Sequence, residues 1–104
     1  MLAPAVAFAS TAANTVITNT ATVDFKDDVV LGANTTVTGT TVTFEKSLNS
    51  DATARTLLVN ASGVTTFGGA VGNTSGLLSL TTDAVGTTDL NGATIVATTV
   101  DFKD

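Results

Sequence analysis

Apolar and polar residues alternate along much of this chain, and glycine or polar runs interrupt the alternation at short intervals. Residues 15–25 read TVITNTATVDF. Ile17, Ala21, Val23 and Phe25 fall on one side, with Asn19 among them, while Val16, Thr18, Thr20, Thr22 and Asp24 fall on the other. A two-residue period predicts one strand with one buried side. Residues 29–31 (VVL) are a short apolar run ended by Gly32. Residues 36–44 (TVTGTTVTF) resume the alternation, with Val42 and Phe44 on one side. Residues 47–54 read as a mostly polar loop from which Leu48 points inward. Further strands are expected at 57–59, 64–67, 77–80, 95–96 and 100–102, with turns at Gly68-Gly69 and at residues 73–76.

The pattern also repeats at longer range. Asn60-Ala-Ser-Gly-Val-Thr-Thr-Phe67-Gly-Gly-Ala70 matches, 23 residues later, Asp83-Ala-Val-Gly-Thr-Thr-Asp-Leu90-Asn-Gly-Ala93 at five of eleven positions. Leu57 and Leu80 extend the match. Phe25, Phe44, Phe67 and Leu90 recur at spacings of 19, 23 and 23 residues. In three cases a second apolar residue follows four positions on: Phe25/Val29, Phe44/Leu48 and Phe67/Val71. Leu90/Thr94 breaks the step, with Ile95 beside it. The pentapeptide VDFKD at residues 23–27 recurs verbatim at 100–104. Periods of about 20–25 residues in a strand-rich chain predict a solenoid, whose single coil cannot bury its apolar side alone. The expected fold is all-β: a parallel β-helix of about four coils over residues 15–104, with residues 1–14 as a separate apolar segment. An antiparallel β-sandwich is the alternative. Gly32, Gly39, Gly63, Gly86 and Asn91-Gly92 are the expected corner residues. Asn34, Asn60 and Asn73 are candidates for stacked ladders at those corners.

Composition supports strands and narrows the partners. Thr (23), Ala (15) and Val (13) dominate the 104 residues. β-Branched Thr and Val fit an extended, half-buried surface. Charged residues are 12% of the chain and the net charge is −5. That balance excludes nucleic acid, whose phosphates need clustered Lys and Arg, and it excludes an anionic membrane surface. Cysteine is absent, which removes disulfides and thiolate metal sites. No apolar run approaches the length that spans a bilayer, so membrane insertion is not expected. Ala7-Phe8-Ala9 before Ser10 has the small-x-small form of a signal-peptidase site; the competing reading is an ordinary small-residue strand or linker.

The stretches TTFGGAVGNTSGLLSLTTDAVGTTDLNGATI and DDVVLGANTTVTGTTVTF resemble the strand repeats of large bacterial surface proteins, the filamentous-haemagglutinin-like adhesins and autotransporter passenger regions. The resemblance spans roughly residues 15–104. It implies a right-handed parallel β-helix that is exported and serves as a stalk, adhesin or matrix component.

Candidate chemistry is sparse. With neither His nor Cys, the commonest general base and two common metal ligands are missing. Among Ser10, Ser47, Ser50, Ser62, Ser75 and Ser79, only Ser47 has a neighbouring amine, Lys46. Asp24, Asp27 and Asp28, with Asp101 and Asp104 in the second copy, are candidate calcium ligands. Their spacing matches no calcium loop, and a solvated strand end offset by Lys26 and Lys103 is the favoured reading. Asn34-Thr-Thr36, Asn60-Ala-Ser62 and Asn73-Thr-Ser75 fit the glycosylation sequon. No catalytic, cofactor or metal residue is therefore assigned. The expected protein is a non-enzymatic extracellular or cell-surface structural element, an adhesin or self-assembling filament component. The alternatives are a β-sandwich filament subunit joined by strand addition and a polysaccharide-binding module. Expected partners are copies of the chain itself, stacked head to tail because residues 100–104 copy 23–27, and host or matrix glycans.

Overall fold

The computed structural model describes residues 16–18, 21–83, 85–92 and 94–103. The segment 1–14, with its Ala7-Phe8-Ala9 motif, lies outside them, as do Thr15, Asn19, Thr20 and Asp104. The described residues form strands and no helix. The first coil consists of β1 (Val16–Thr18), β2 (Thr22–Phe25) and β3 (Val29–Leu31); the second of β4 (Thr35–Gly39), β5 (Thr41–Phe44) and β6 (Leu48–Ser50). The third holds β7 (Thr56–Ala61) and β8 (Val64–Phe67), and the fourth β9 (Leu77–Thr82) and β10 (Thr87–Leu90); β11 (Ala97–Phe102) opens a further turn.

Equivalent strands stack in parallel and build three faces. The first face runs β1-β4-β7-β9-β11, the second β2-β5-β8-β10, and the third β3-β6. Isolated parallel bridges Leu48–Val71 and Val71–Ile95 carry the third face through the later coils. This is a β-solenoid of about four turns. Every strand pair is parallel, which rules out the antiparallel sandwich.

Register places the recurring residues in columns. Phe25 pairs with Phe44, Phe44 with Phe67, and Phe67 with Leu90. The three phenylalanine rings stack at centroid distances of 4.7 and 5.2 Å with nearly parallel planes, at 7° and 3°. Val29, Leu48, Val71 and Ile95 form the next column, so the broken step after Leu90 is one residue of slack that Ile95 absorbs. Val23/Val42/Thr65, Thr35/Leu57/Leu80 and Val37/Val59/Thr82 complete the interior. These side chains are at most 3% exposed, because each pleat that points inward is roofed by the coil above and floored by the coil below.

The change of spacing has a local origin. Thr35 pairs with Leu57, an offset of 22, whereas Val29 pairs with Leu48, an offset of 19. The added residues lie in the 51–55 loop. There Arg55 donates to both carboxylate oxygens of Asp51, from Nε and Nη2, each at 2.9 Å. The Arg55 backbone N–H also donates to the Ser50 hydroxyl at 2.9 Å. The Arg55 guanidinium and the Thr53 backbone N–H hold the Asp51 carboxyl below the usual carboxylate range.

Several sequence expectations are corrected. Residues 15–25 are not one strand: β1 and β2 lie on different faces. The run 36–44 likewise bends at Thr40, whose N–H donates to the Ala21 carbonyl at 2.8 Å. Leu48–Ser50 is a strand inside the region read as loop, with Leu48 fully buried as expected. Residues 87–90 form β10, which was not expected as a strand. The asparagines form no ladder. Asn34 Oδ1 accepts the Thr56 N–H at 3.1 Å, Asn60 stacks on Thr38, and Asn73 is exposed. Most important, the two VDFKD copies are not equivalent. Val23 and Phe25 lie in β2 on the second face, while Val100 and Phe102 lie in β11 on the first, paired with Leu80 and Thr82.

Candidate functional site

The acidic cluster resolves into separate pairs. Asp24 projects outward from β2, because Val23 and Phe25 take the inward positions. Lys26 Nζ lies 3.0 Å from Asp24 Oδ2 and 3.2 Å from Glu45 Oε2, joining the first coil to the second. Burial pushes the Asp24 carboxyl up. Its contacts with Glu45 and with the Lys26 ammonium outweigh that and leave it below the ordinary carboxylate range. Lys46 Nζ sits 3.7 Å from Asp27 Oδ1. Ser47 donates to Asp28 Oδ1 from both its backbone N–H, at 3.2 Å, and its hydroxyl, at 2.9 Å. Lys46 and Ser47 are thus committed to different carboxylates. Asp101 pairs with Lys103 at 2.9 Å on another face of the rod.

Glu45, Asp27 and Asp28 therefore tie the first coil to the second, whereas Asp101 pairs within its own coil. Among the described residues no three acidic side chains converge on a point where a cation would sit. A chelator is expected to leave the melting temperature unchanged. A drop of several degrees with EDTA, restored by calcium, would show a bound ion stabilising the folded state.

A second feature was not legible from any motif. At the corner between the first and second faces an open groove of about 380 Å³ runs along the rod. Thr18, Thr38, Thr40, Asn60, Ser62 and Asp83 line it together with Gly39 and the apolar Val85. Thr18, Thr38 and Asn60 are consecutive members of one outward column, which places polar groups about 4.8 Å apart along the groove. Asp83 contributes a carboxylate whose Oδ1 also accepts the Ala61 N–H at 3.3 Å. Asn60 and Asp83 head the 23-residue echo, and that was the available signal. The groove exists because the corner residues stack: Thr40 N–H donates to Ala21 O, Gly63 N–H to Thr40 O at 2.7 Å, and Thr87 N–H to Gly63 O at 3.1 Å.

The remaining serines and sequons are scattered. Ser50 is buried, Ser62 is at the groove, and Ser75 and Ser79 are half-buried at separate places. The sequon asparagines are the Asn34 tie, the Asn60 groove residue and the exposed Asn73. No family model, curated protein or solved structure matches this chain.

Proposed function

We propose that this chain is a non-enzymatic structural protein of the cell exterior, a short rod that serves as a surface adhesin or as a component of a filament. The observation that carries this reading is the continuity of the inward columns. Each coil repeats the shape of the one before, so the molecule presents long, flat, sparsely charged faces of Thr, Asn and Asp on a rigid frame. Such a frame suits display and mechanical extension. Its first expected partner is another copy of itself. The test is electron microscopy of the purified protein together with adhesion of protein-coated beads to extracellular matrix. Rods and specific adhesion are expected. Compact particles without adhesion, or turnover of a polysaccharide substrate, would overturn the reading.

The groove favours a second reading, a polysaccharide-binding module. Its hydroxyl and amide groups and one carboxylate suit the hydroxyls of an uncharged glycan, and the apolar part of its wall, which includes Val85, suits a sugar's C–H face. A glycan array probed with the unmodified chain and with Asn60→Ala and Asp83→Ala separates the two readings. Binding lost in both variants supports the module, and no binding by the unmodified chain removes it.

A further inference from the structure

The groove between the first and second faces carries a charge that no basic side chain neutralises. It lies on the flank of the rod and draws its lining from all four coils. Asp83 is the only charged side chain in that lining. Its Oδ1 accepts the Ala61 N–H at 3.3 Å. The four basic residues of the sequence are committed elsewhere: Lys26 to Asp24 and Glu45, Lys46 to Asp27, Arg55 to Asp51 and Lys103 to Asp101. Lys103 follows Phe102, which stacks on Thr82, and so lies one coil above Asp83. Its Nζ nevertheless turns to Asp101 Oδ2 at 2.9 Å. One coil below Asp83, Asn60 presents its amide to the same groove. Val85, two residues after Asp83, adds an apolar part to the wall.

We propose that this groove binds a linear, uncharged glycan built from acetamido sugars, with one acetamido group seated at Asn60, Asp83 and Val85. The proposal rests on the reading of the groove as a glycan site and names the sugar. The chemistry of the lining selects it. An ionised carboxylate accepts hydrogen bonds and donates none, whereas the Asn60 amide does both. The Val85 side chain does neither and favours an apolar group. An acetamido substituent holds the three counterparts within a few atoms. Its N–H donates to Asp83, its carbonyl accepts from Asn60, and its methyl covers Val85. A plain hexose satisfies Asp83 and Asn60 with hydroxyls but brings no compact apolar group to the same spot. A sugar with a free ammonium pairs with Asp83 but sets a hydrated charge against Val85. A uronate or sulfated glycan meets like charge at Asp83, on a chain whose net charge is −5. The direction of the glycan follows from the stacking. Thr18, Thr38 and Asn60 repeat about 4.8 Å apart. An extended β-linked glycan advances by nearly the same step per ring, so it lies along the rod with one ring per coil.

Isothermal titration calorimetry of the full chain tests it with tetrasaccharides of N-acetylglucosamine, glucosamine and glucose, all β-linked, and with an oligogalacturonate. The N-acetylglucosamine tetramer is expected to bind about tenfold more tightly than the glucose tetramer, the size of one hydrogen bond to a charged group. The acidic oligomer is expected not to bind. Asp83→Asn keeps an oxygen to accept the Ala61 N–H and removes the charge. It is expected to lose most of the preference with an unchanged circular-dichroism spectrum. Val85→Ser is expected to weaken the acetylated tetramer more than the glucose tetramer. Thr43→Ala, on the second face, is the control and is expected to change neither. In saturation-transfer NMR the acetyl methyl protons are expected to receive the most magnetisation. Equal affinity for the acetylated and glucose tetramers would overturn the inference and leave the glycan-binding reading, and so would tighter binding of the glucosamine tetramer. A preference for the acetylated tetramer that survives both Asp83→Asn and Val85→Ser would place the sugar elsewhere and overturn it too. Binding of none of the oligomers would remove the inference and the glycan-binding reading together.

Discussion

Replacing Phe44 with alanine is expected to destabilise the chain by about 3–5 kcal/mol, the range for deleting a buried aromatic side chain. The ring lies between Phe25 and Phe67, 4.7 and 5.2 Å away, and the residue is 1% exposed. Truncation would leave a void between coils whose spacing is set by backbone hydrogen bonds, so the walls cannot close over it. The offset stacking of aromatic rings adds about 0.5–1.5 kcal/mol beyond the area buried. Natural domains are stable by only about 5–15 kcal/mol, so the substitution removes a large share. Urea denaturation monitored by circular dichroism measures it. A cost below about 1 kcal/mol, typical of a surface site, would mean that Phe44 does not hold the column together.

Gly86→Ala is the second large effect. Gly86 has φ of +85°, a left-handed conformation that costs a residue with a Cβ about 1–3 kcal/mol. Space is also lacking. A Cβ there would collide with the Gly63 carbonyl oxygen of the coil below and lie 2.9 Å from the Ala61 carbonyl oxygen. Both are backbone atoms fixed by the stacked corner, so neither can rotate away. Overpacking of this kind adds about 1–3 kcal/mol. A total of about 2–6 kcal/mol follows from the two terms. Gly76→Ala is the internal comparison. Its nearest neighbour is a Val96 side-chain methyl at 3.3 Å, which can give way, and a cost under about 1 kcal/mol is expected there. Thermal denaturation of the two variants side by side checks the contrast. Equal melting temperatures would contradict the stacked corner.

The interior was legible because inward positions must be apolar in every coil. Phe25, Phe44, Phe67 and Leu90 announce their column by spacing alone, and Val29, Leu48 and Val71 follow at a fixed step that spans one corner. The corners were harder to read. Residues 36–44 look like a single strand because Thr and Val fill both sides of the bend at Thr40, where the buried positions step from Val37 and Gly39 to Val42 and Phe44. The repeated VDFKD misled for a related reason. A Val-x-Phe alternation suits an inward-facing strand on any face, and the face is decided by how many residues precede it in the coil. Only Val96 separates Ile95 of the third face from Ala97 at the start of β11, so the second copy arrives on the first face. The groove escaped motif reading because its lining comes from all four coils, each contributing an unremarkable polar residue at the same corner.

The central claim is that successive coils stack in parallel with the three phenylalanines in one column. Nuclear Overhauser contacts between their ring protons test it most directly. The structure predicts contacts between Phe25 and Phe44 and between Phe44 and Phe67, none between Phe25 and Phe67, and parallel backbone contacts linking β2 with β5 and β5 with β8. A direct Phe25–Phe67 contact, or antiparallel contacts between any of these strands, would contradict it.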